Sequence, residues 1–234
     1  QVAETYRKIR NTLRFLLANT SDFNPEVDRV EGAKMPEVDQ YMLVKLQKLV
    51  NTVKDSYDHY SFQDVYRAVM NFITNTLSAF YLDFTKDILY LEEANSLRRR
   101  QVQTVLYYNA KTMMKLLSPV LVFTAEELHD HFHCDENKEE SVFLEANPTV
   151  LDIENSAEIE AYYDRFFTLR KDVLKSMETL RENKIIKSNM EAKLTVNLKD
   201  AIADWAELNK IARDEKIDYQ TRGINGATVM LDVP

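Results

Sequence analysis

Only three glycines, Gly32, Gly223 and Gly226, occur in 234 residues. A loop that cradles phosphate on backbone N–H groups needs closely spaced glycines opening a helix, so P-loop and dinucleotide-type fingerprints are excluded. Proline is as scarce, with five, and the two shortages together point to long helices with few tight turns. The single Cys134 excludes an internal disulfide framework and points to a reducing compartment. No run of about 18 apolar residues is there to cross a membrane. No basic-then-apolar leader opens the chain, and no G-x-S-x-G elbow offers a nucleophile.

What remains is an ordinary globular composition, 45% hydrophobic and 29% charged. The net charge of −8 argues against a general nucleic-acid coat but leaves room for a local basic face. The chain opens with "YRKIRNTLRFLL". At 100° per residue, Tyr6, Ile9, Leu13, Leu16 and Leu17 form one apolar stripe, and Arg7, Arg10 and Arg14 form a second stripe beside it. Only "QVAET" precedes this, with no capping signal, so the helix reads as cut into by the start of the chain.

A polar connector with Pro25, Gly32 and Pro36 follows. Helical spacing then runs from about Val38 to His59, and again through "YSFQDVYRAVMNFITNTLSAFYL" with Ser61 as its N-cap. A fourth helix covers Arg98 to Leu117 and stops at Ser118–Pro119. In "VLVFTAEELHDHF", Thr124 and Glu127 have capping-box spacing for a short fifth helix. Five helices with one apolar stripe each predict an antiparallel bundle over residues 1–135. An acidic junction at 136–155 precedes a long helix, roughly Ser156 to Asn183. The period then changes: Leu194, Val196 and Leu198 alternate, as do Val229, Leu231 and Val233, around the helical "DAIADWAELNKIA" and the turn signal "INGA". The fold class expected is mainly α, a helical bundle followed by a long helix and a small α+β subdomain over 156–234.

Among candidate chemistries, "HDHFHC" at 129–134 places His129 and His133 on one helix face, as two zinc ligands would be. His131 points away and no further Cys or His is near, so no metal is assigned. Cys134 lies in an acidic, exposed-looking stretch that raises a thiol pKa. The carboxylate pairs Glu92–Glu93, Glu126–Glu127 and Glu139–Glu140 are adjacent on their helices and do not face each other. No catalytic residue is assigned. The basic sets are more informative: Arg7, Arg10 and Arg14; Arg98, Arg99 and Arg100, continuing to Lys111 and Lys115; and Arg181, Lys184, Lys187 and Lys193. A basic stripe on an acidic protein is the footprint of a phosphate-backbone partner. Tyr57, Tyr60, Phe62, Tyr66 and Phe72 could stack on unpaired bases, although their helical spacing assigns most of them to the core.

The blocks "AETYRKIRNTLRFLLANTSDFNP", "FYLDFTKDILY", "RRRQVQTVLY" and "LLSPVLVFTAEEL", in that order, closely resemble the anticodon-binding region of bacterial isoleucyl-tRNA synthetases. "RNTLRFLL" is shared more loosely with the valine and leucine enzymes, which are the alternative assignment within this fold. A helical protein-interaction module is the alternative outside it. The resemblance implies that the first helix follows a catalytic domain, which accounts for its missing cap. It also implies a cytoplasmic class I ligase that charges isoleucine tRNA with ATP and magnesium and carries catalytic and editing domains as intramolecular partners. The HIGH and KMSKS motifs are absent here, so this piece is expected to bind tRNA without forming aminoacyl-adenylate and to need no cofactor. The cysteine-rich zinc knuckle in which bacterial relatives often end is also absent. The tRNA-binding residues expected are Arg7, Arg10, Arg14, Arg98, Arg99, Arg100, Lys184 and Lys187. Two positions depart from the family pattern. In "IIKSNMEAK", Lys187 stands for a flexible glycine and Met190 for leucine, and His129 stands where relatives place tryptophan, which favours packing over zinc ligation.

Overall fold

A computed structural model describes residues 2–135, 138–188, 193–196 and 228–231. The chain divides into two compact units, residues 1–35 with 39–154, and residues 36–38 with 155–234. The first holds α1 (Val2–Asn19), α2 (Glu37–Asp58), α3 (Phe62–Asn71), a π-helical segment (Phe72–Tyr81), α4 (Leu82–Leu91), α5 (Leu97–Leu117) and α6 (Val122–Asp130). The α1 stripe meets its expectation through Ile9, Leu13 and Leu16, all buried. Helix α5 does not. It packs on α1, α4 and α6, and every residue from Gln101 to Ala110 is buried, so no single stripe describes it. Its polar side chains survive inside because most of their polar atoms find partners, Arg100 Nε and Asn109 Oδ1 excepted. Gln103 Nε2 donates to the Asn19 carbonyl at 2.9 Å, Gln101 Nε2 to that of Lys34 at 2.6 Å, and Thr104 Oγ1 accepts from the Val30 N–H at 3.1 Å. These bonds fasten the α1–α2 connector to the central helix.

The third helix predicted from sequence is one run from Phe62 to Leu91, interrupted by the π-helical segment, where the Leu82 N–H reaches the Leu77 carbonyl five residues back. Ser61 heads it without capping it, because its hydroxyl donates to the Asp64 carboxylate at 2.5 Å. The capping box at Thr124 and Glu127 is not formed. Helix α6 starts at Val122, so both residues lie within it and turn sideways onto α1. The described part of the segment expected to be an acidic junction belongs to the first unit as far as Glu154. Lys115 reaches Glu145 at 2.9 Å and the Ala146 carbonyl at 3.0 Å, Glu126 accepts from the Ser141 hydroxyl and Val142 N–H, and Ile153 lies where a Cβ on Gly32 would meet it at 2.9 Å.

In the second unit, α7 (Ser156–Glu182) buries Val173 and Met177 with Ile186, and Leu169 and Leu180 pack on that cluster. Strands β1 (Lys193–Val196) and β2 (Thr228–Leu231) pair in parallel, with Leu194 opposite Val229 and Val196 opposite Leu231. The expected helix at 200–212, the "INGA" turn, Met190, Leu198 and Val233 lie outside the described residues.

The scarcity of glycine shows at helix ends. Helices α2 and α7 both close with crossed 6→1 and 5→2 bonds: Ser61 N to Ser56 O with Tyr60 N to Tyr57 O, and Ile185 N to Leu180 O with Lys184 N to Arg181 O. That motif wants glycine in the left-handed position. Here Tyr60 (φ 55°) and Lys184 (φ 57°) occupy it. Lys187, named from sequence as the replacement for a flexible residue, is not among the positive-φ residues, so the left-handed turn sits three residues earlier. Because an L side chain in this conformation costs about 1 kcal/mol, Lys184→Gly is expected to stabilise the chain by roughly 0.5–1 kcal/mol in urea unfolding. An unchanged or lowered midpoint would contradict the assignment.

Candidate nucleic-acid interface

Helix α1 divides its arginines into two kinds. Arg10 is clasped: Nη1 and Nη2 donate to the two Glu127 carboxylate oxygens at 2.6 and 2.5 Å, and Nη1 also reaches the Tyr6 hydroxyl at 3.3 Å. The Tyr6 hydroxyl lies 3.0 Å from Thr124 Oγ1, which completes a two-residue clamp between α1 and α6. The Arg10 guanidinium holds the Glu127 carboxyl below its ordinary range. Arg7 and Arg14, one turn to either side, are exposed and form no ion pair among the described residues. Lys8, not singled out from sequence because it lies off the arginine stripe, is exposed and unpaired in the same way.

The block Arg98–Arg100 is committed to the fold. Arg98 donates through both terminal nitrogens to Asp39, which is fully buried and also accepts from the Tyr81 hydroxyl at 2.8 Å. Burial pushes the Asp39 carboxyl up, and Arg98 and Tyr81 pull against it. Arg99 grips Asp22 at 2.6 and 3.1 Å, the Ala94 carbonyl at 3.0 Å and the Leu89 carbonyl at 3.3 Å. Arg100 donates to the Asp22 carbonyl, Gln103 Oε1 and Asn95 Oδ1 at 3.0, 2.7 and 2.7 Å, with Asp28 3.4 Å away. The Arg99 and Arg100 side chains are only 14% and 12% exposed. Carboxylates distant in sequence already hold these three, so any grip on RNA phosphate would first have to break an ion pair. Lys111 is likewise paired with buried Asp135, and Lys115 with Glu145. In the second unit Lys184 and Lys187 are exposed.

The aromatics depart from expectation in the opposite sense. Phe72 is buried and Tyr57 is half-buried with its hydroxyl on the Leu116 carbonyl, but Tyr60, Phe62 and Tyr66 are exposed, Tyr60 by 81%. Phe62 and Tyr66 line an apolar groove of about 200 Å³ with Tyr6, Ile9, Val65 and Leu117. His129 is buried, its Nε2 3.4 Å from Glu145 Oε1, as its packing role requires. His131 instead turns its Nδ1 to the Glu127 carbonyl, and no group of three metal-ligating side chains occurs among the described residues. Cys134 is half-buried rather than exposed, and its thiol is pushed up to about 11, first by that burial and less by Asp135. No described helix is long and apolar enough to cross a membrane.

A helical-bundle domain with one open cationic helix is what the fold and this surface define. The model of the family described as anticodon-binding domain of tRNA ligase matches residues 39–196, and the chain belongs to that family. It is 47% identical over 196 residues to the isoleucine–tRNA ligase of Lactococcus lactis and 50% identical over 194 residues to that of Bacillus subtilis. These matches cover 84% and 83% of this chain. A protein of the same name from Bacillus mycoides is 50% identical over 196 residues. In each case the chain spans 21%, about a fifth, of the relative's length.

Removing one partner of a buried pair leaves an uncompensated charge, so Arg98→Met is expected to cost about 3–5 kcal/mol in urea unfolding. Asp39→Leu combined with Arg98→Met should recover part of that loss, and a double variant no better than the single would contradict the pairing. Arg99 holds the Asp22 carboxyl below its usual range. The depressed carboxyls of Asp22 and Glu127 therefore contribute fully above their unfolded values of about 3.9 and 4.3. That contribution is lost as pH falls through the lower folded values. Stability measured from pH 6 to pH 2 should decline less steeply in a chain carrying Asp22→Asn and Glu127→Gln than in the wild type.

Proposed function

We propose that this chain binds transfer RNA, with α1 laid against the sugar-phosphate strand, and that it serves the anticodon-recognising part of an isoleucine-specific tRNA ligase. The observation that carries the reading is the open cationic face of α1. Arg7, Lys8 and Arg14 stand exposed and form no ion pair among the described residues, on a chain of net charge −8, while the other arginines of the bundle's basic sets are held by carboxylates. Cations without internal partners gain the most from a phosphate backbone, because binding releases the RNA's condensed counterions without first breaking an ion pair. Arg7 and Arg14 are seven residues apart, about 10.5 Å along the helix, far enough for each to meet a different phosphate. Lys184 and Lys187 add a second cationic site on the other unit.

The relatives' names supply the isoleucine specificity. Charging the tRNA with isoleucine, using ATP and magnesium, belongs to the catalytic and editing parts of the larger enzyme in the cytoplasm. This chain's share is to hold and position the RNA. A second reading, contact with protein, is favoured by the apolar groove beside Phe62 and Tyr66, and concerns a different face.

Charge reversal tests the assignment. Arg7→Glu with Arg14→Glu should weaken binding of isoleucine tRNA at least about tenfold at 50 mM salt and lower the slope of log K against log[salt] by about 1.5–2. Arg99→Glu should instead reduce stability. Equal salt slopes for the α1 double variant and the wild type would refute the α1 interface.

A further inference from the structure

The π-helical segment between α3 and α4 has a character found nowhere else in the described bundle. From Ala68 to Leu82 the sequence carries no charge. On the outward side of the segment, Asn71, Asn75 and Ala79 are exposed, and Thr74 and Ser78 are half-buried beside them. Consecutive π-type turns are rare in proteins and concentrate at functional sites. Here they space a row of amides and hydroxyls along one face. Asn75 Nδ2 donates to Asn71 Oδ1 at 2.6 Å. That bond fixes the two amides relative to each other. It leaves the Asn75 carbonyl oxygen and the Asn71 amide nitrogen with no further partner among the described residues.

We infer that this face reads unpaired RNA bases, with Asn71 and Asn75 presenting a paired donor and acceptor to a base edge. The inference rests on the tRNA-binding reading above and adds to it the groups that discriminate sequence. Phosphate contacts position a nucleic acid without specifying it, and specificity comes from side chains on base edges. Helix α1, with its unpaired cations, packs directly on the π-helical segment, so the two kinds of contact sit on adjoining elements. Charge complementarity between α1 and a polyanion brings the strand to a neighbouring surface that is itself neutral. A neutral donor–acceptor pair suits a base edge, since amide side chains match the donor–acceptor pattern of adenine and hydroxyls accept either sense. The groove near Phe62 is almost wholly apolar, and its Thr5 and Tyr66 hydroxyls bond to each other, so it suits base-edge readout less well.

The test measures binding of the 234-residue chain to an anticodon stem-loop RNA of isoleucine tRNA and to the same RNA with single loop bases replaced. Asn75→Ala is expected to reduce discrimination on the order of tenfold at one loop position, with the salt slope unchanged. Asn71→Ala should relax the same position, because it removes the partner that orients Asn75. Unaltered discrimination in both variants, with wild-type helical circular dichroism, overturns the inference. So does a wild-type chain that binds all loop sequences equally, although the phosphate-gripping role of α1 then stands. A wild-type chain with no salt-dependent RNA binding removes both.

Discussion

A carboxylate supplied from far along the chain decides what Arg10, Arg98, Arg99 and Arg100 do. Asp39 lies 59 residues before Arg98, Asp22 lies 77 before Arg99, and Glu127 lies 117 after Arg10. Each pair joins segments that the fold must bring together before the charge is satisfied. In a partly desolvated setting such charge-assisted, two-pronged bonds are stronger and more directional than exposed ion pairs. Arg99 and Arg100 tie the last turn of α4, the turn at 94–95 and the connector at 22–28 to the start of α5. The connector buries Phe23, Val30 and Met35, and these bonds fix the course of the polar residues between them.

Pairing of this kind leaves a remainder. Once Arg10 is taken by Glu127, the cations of α1 that form no ion pair among the described residues are Arg7, Lys8 and Arg14. On an anionic protein, a helix whose exposed cations form no ion pair among the described residues has a directed field, and that field both attracts and orients a polyanion. The clamp on Arg10 contributes here too, because Tyr6, Thr124, Arg10 and Glu127 hold α1 rigidly on α6. A phosphate strand therefore meets charges at fixed spacing.

The helices were legible because their signals are local. Apolar spacing placed α2 and α7 within a residue or two, and α5, capped by Ser96 through a bond to the Arg99 N–H, begins at Leu97, one residue before its expected start. What could not be read locally depends on distant partners. Nothing in "RRR" announces Asp22 or Asp39. The Thr124–Glu127 spacing looks like a cap from within α6, and only the approach of α1 turns both side chains outward. The exposure of Tyr60, Phe62 and Tyr66 follows from the α2–α3 turn lying at the end of the bundle, where helical spacing no longer implies a neighbour. The left-handed turn at Lys184 was hidden because the usual marker, glycine, is absent there. Lys8 lies off the arginine stripe and at i,i+4 spacing from Glu4, so nothing local marks it as an open cation.

The division between structural and RNA-facing arginines is tested most directly by the guanidinium Nε–Hε resonances of the chain, followed by NMR as isoleucine tRNA is added. Arg7 and Arg14 should shift with increasing RNA, while Arg98, Arg99 and Arg100, held by their carboxylates, should keep their positions. Shifts confined to Arg98–Arg100, with Arg7 and Arg14 unmoved, would contradict the account.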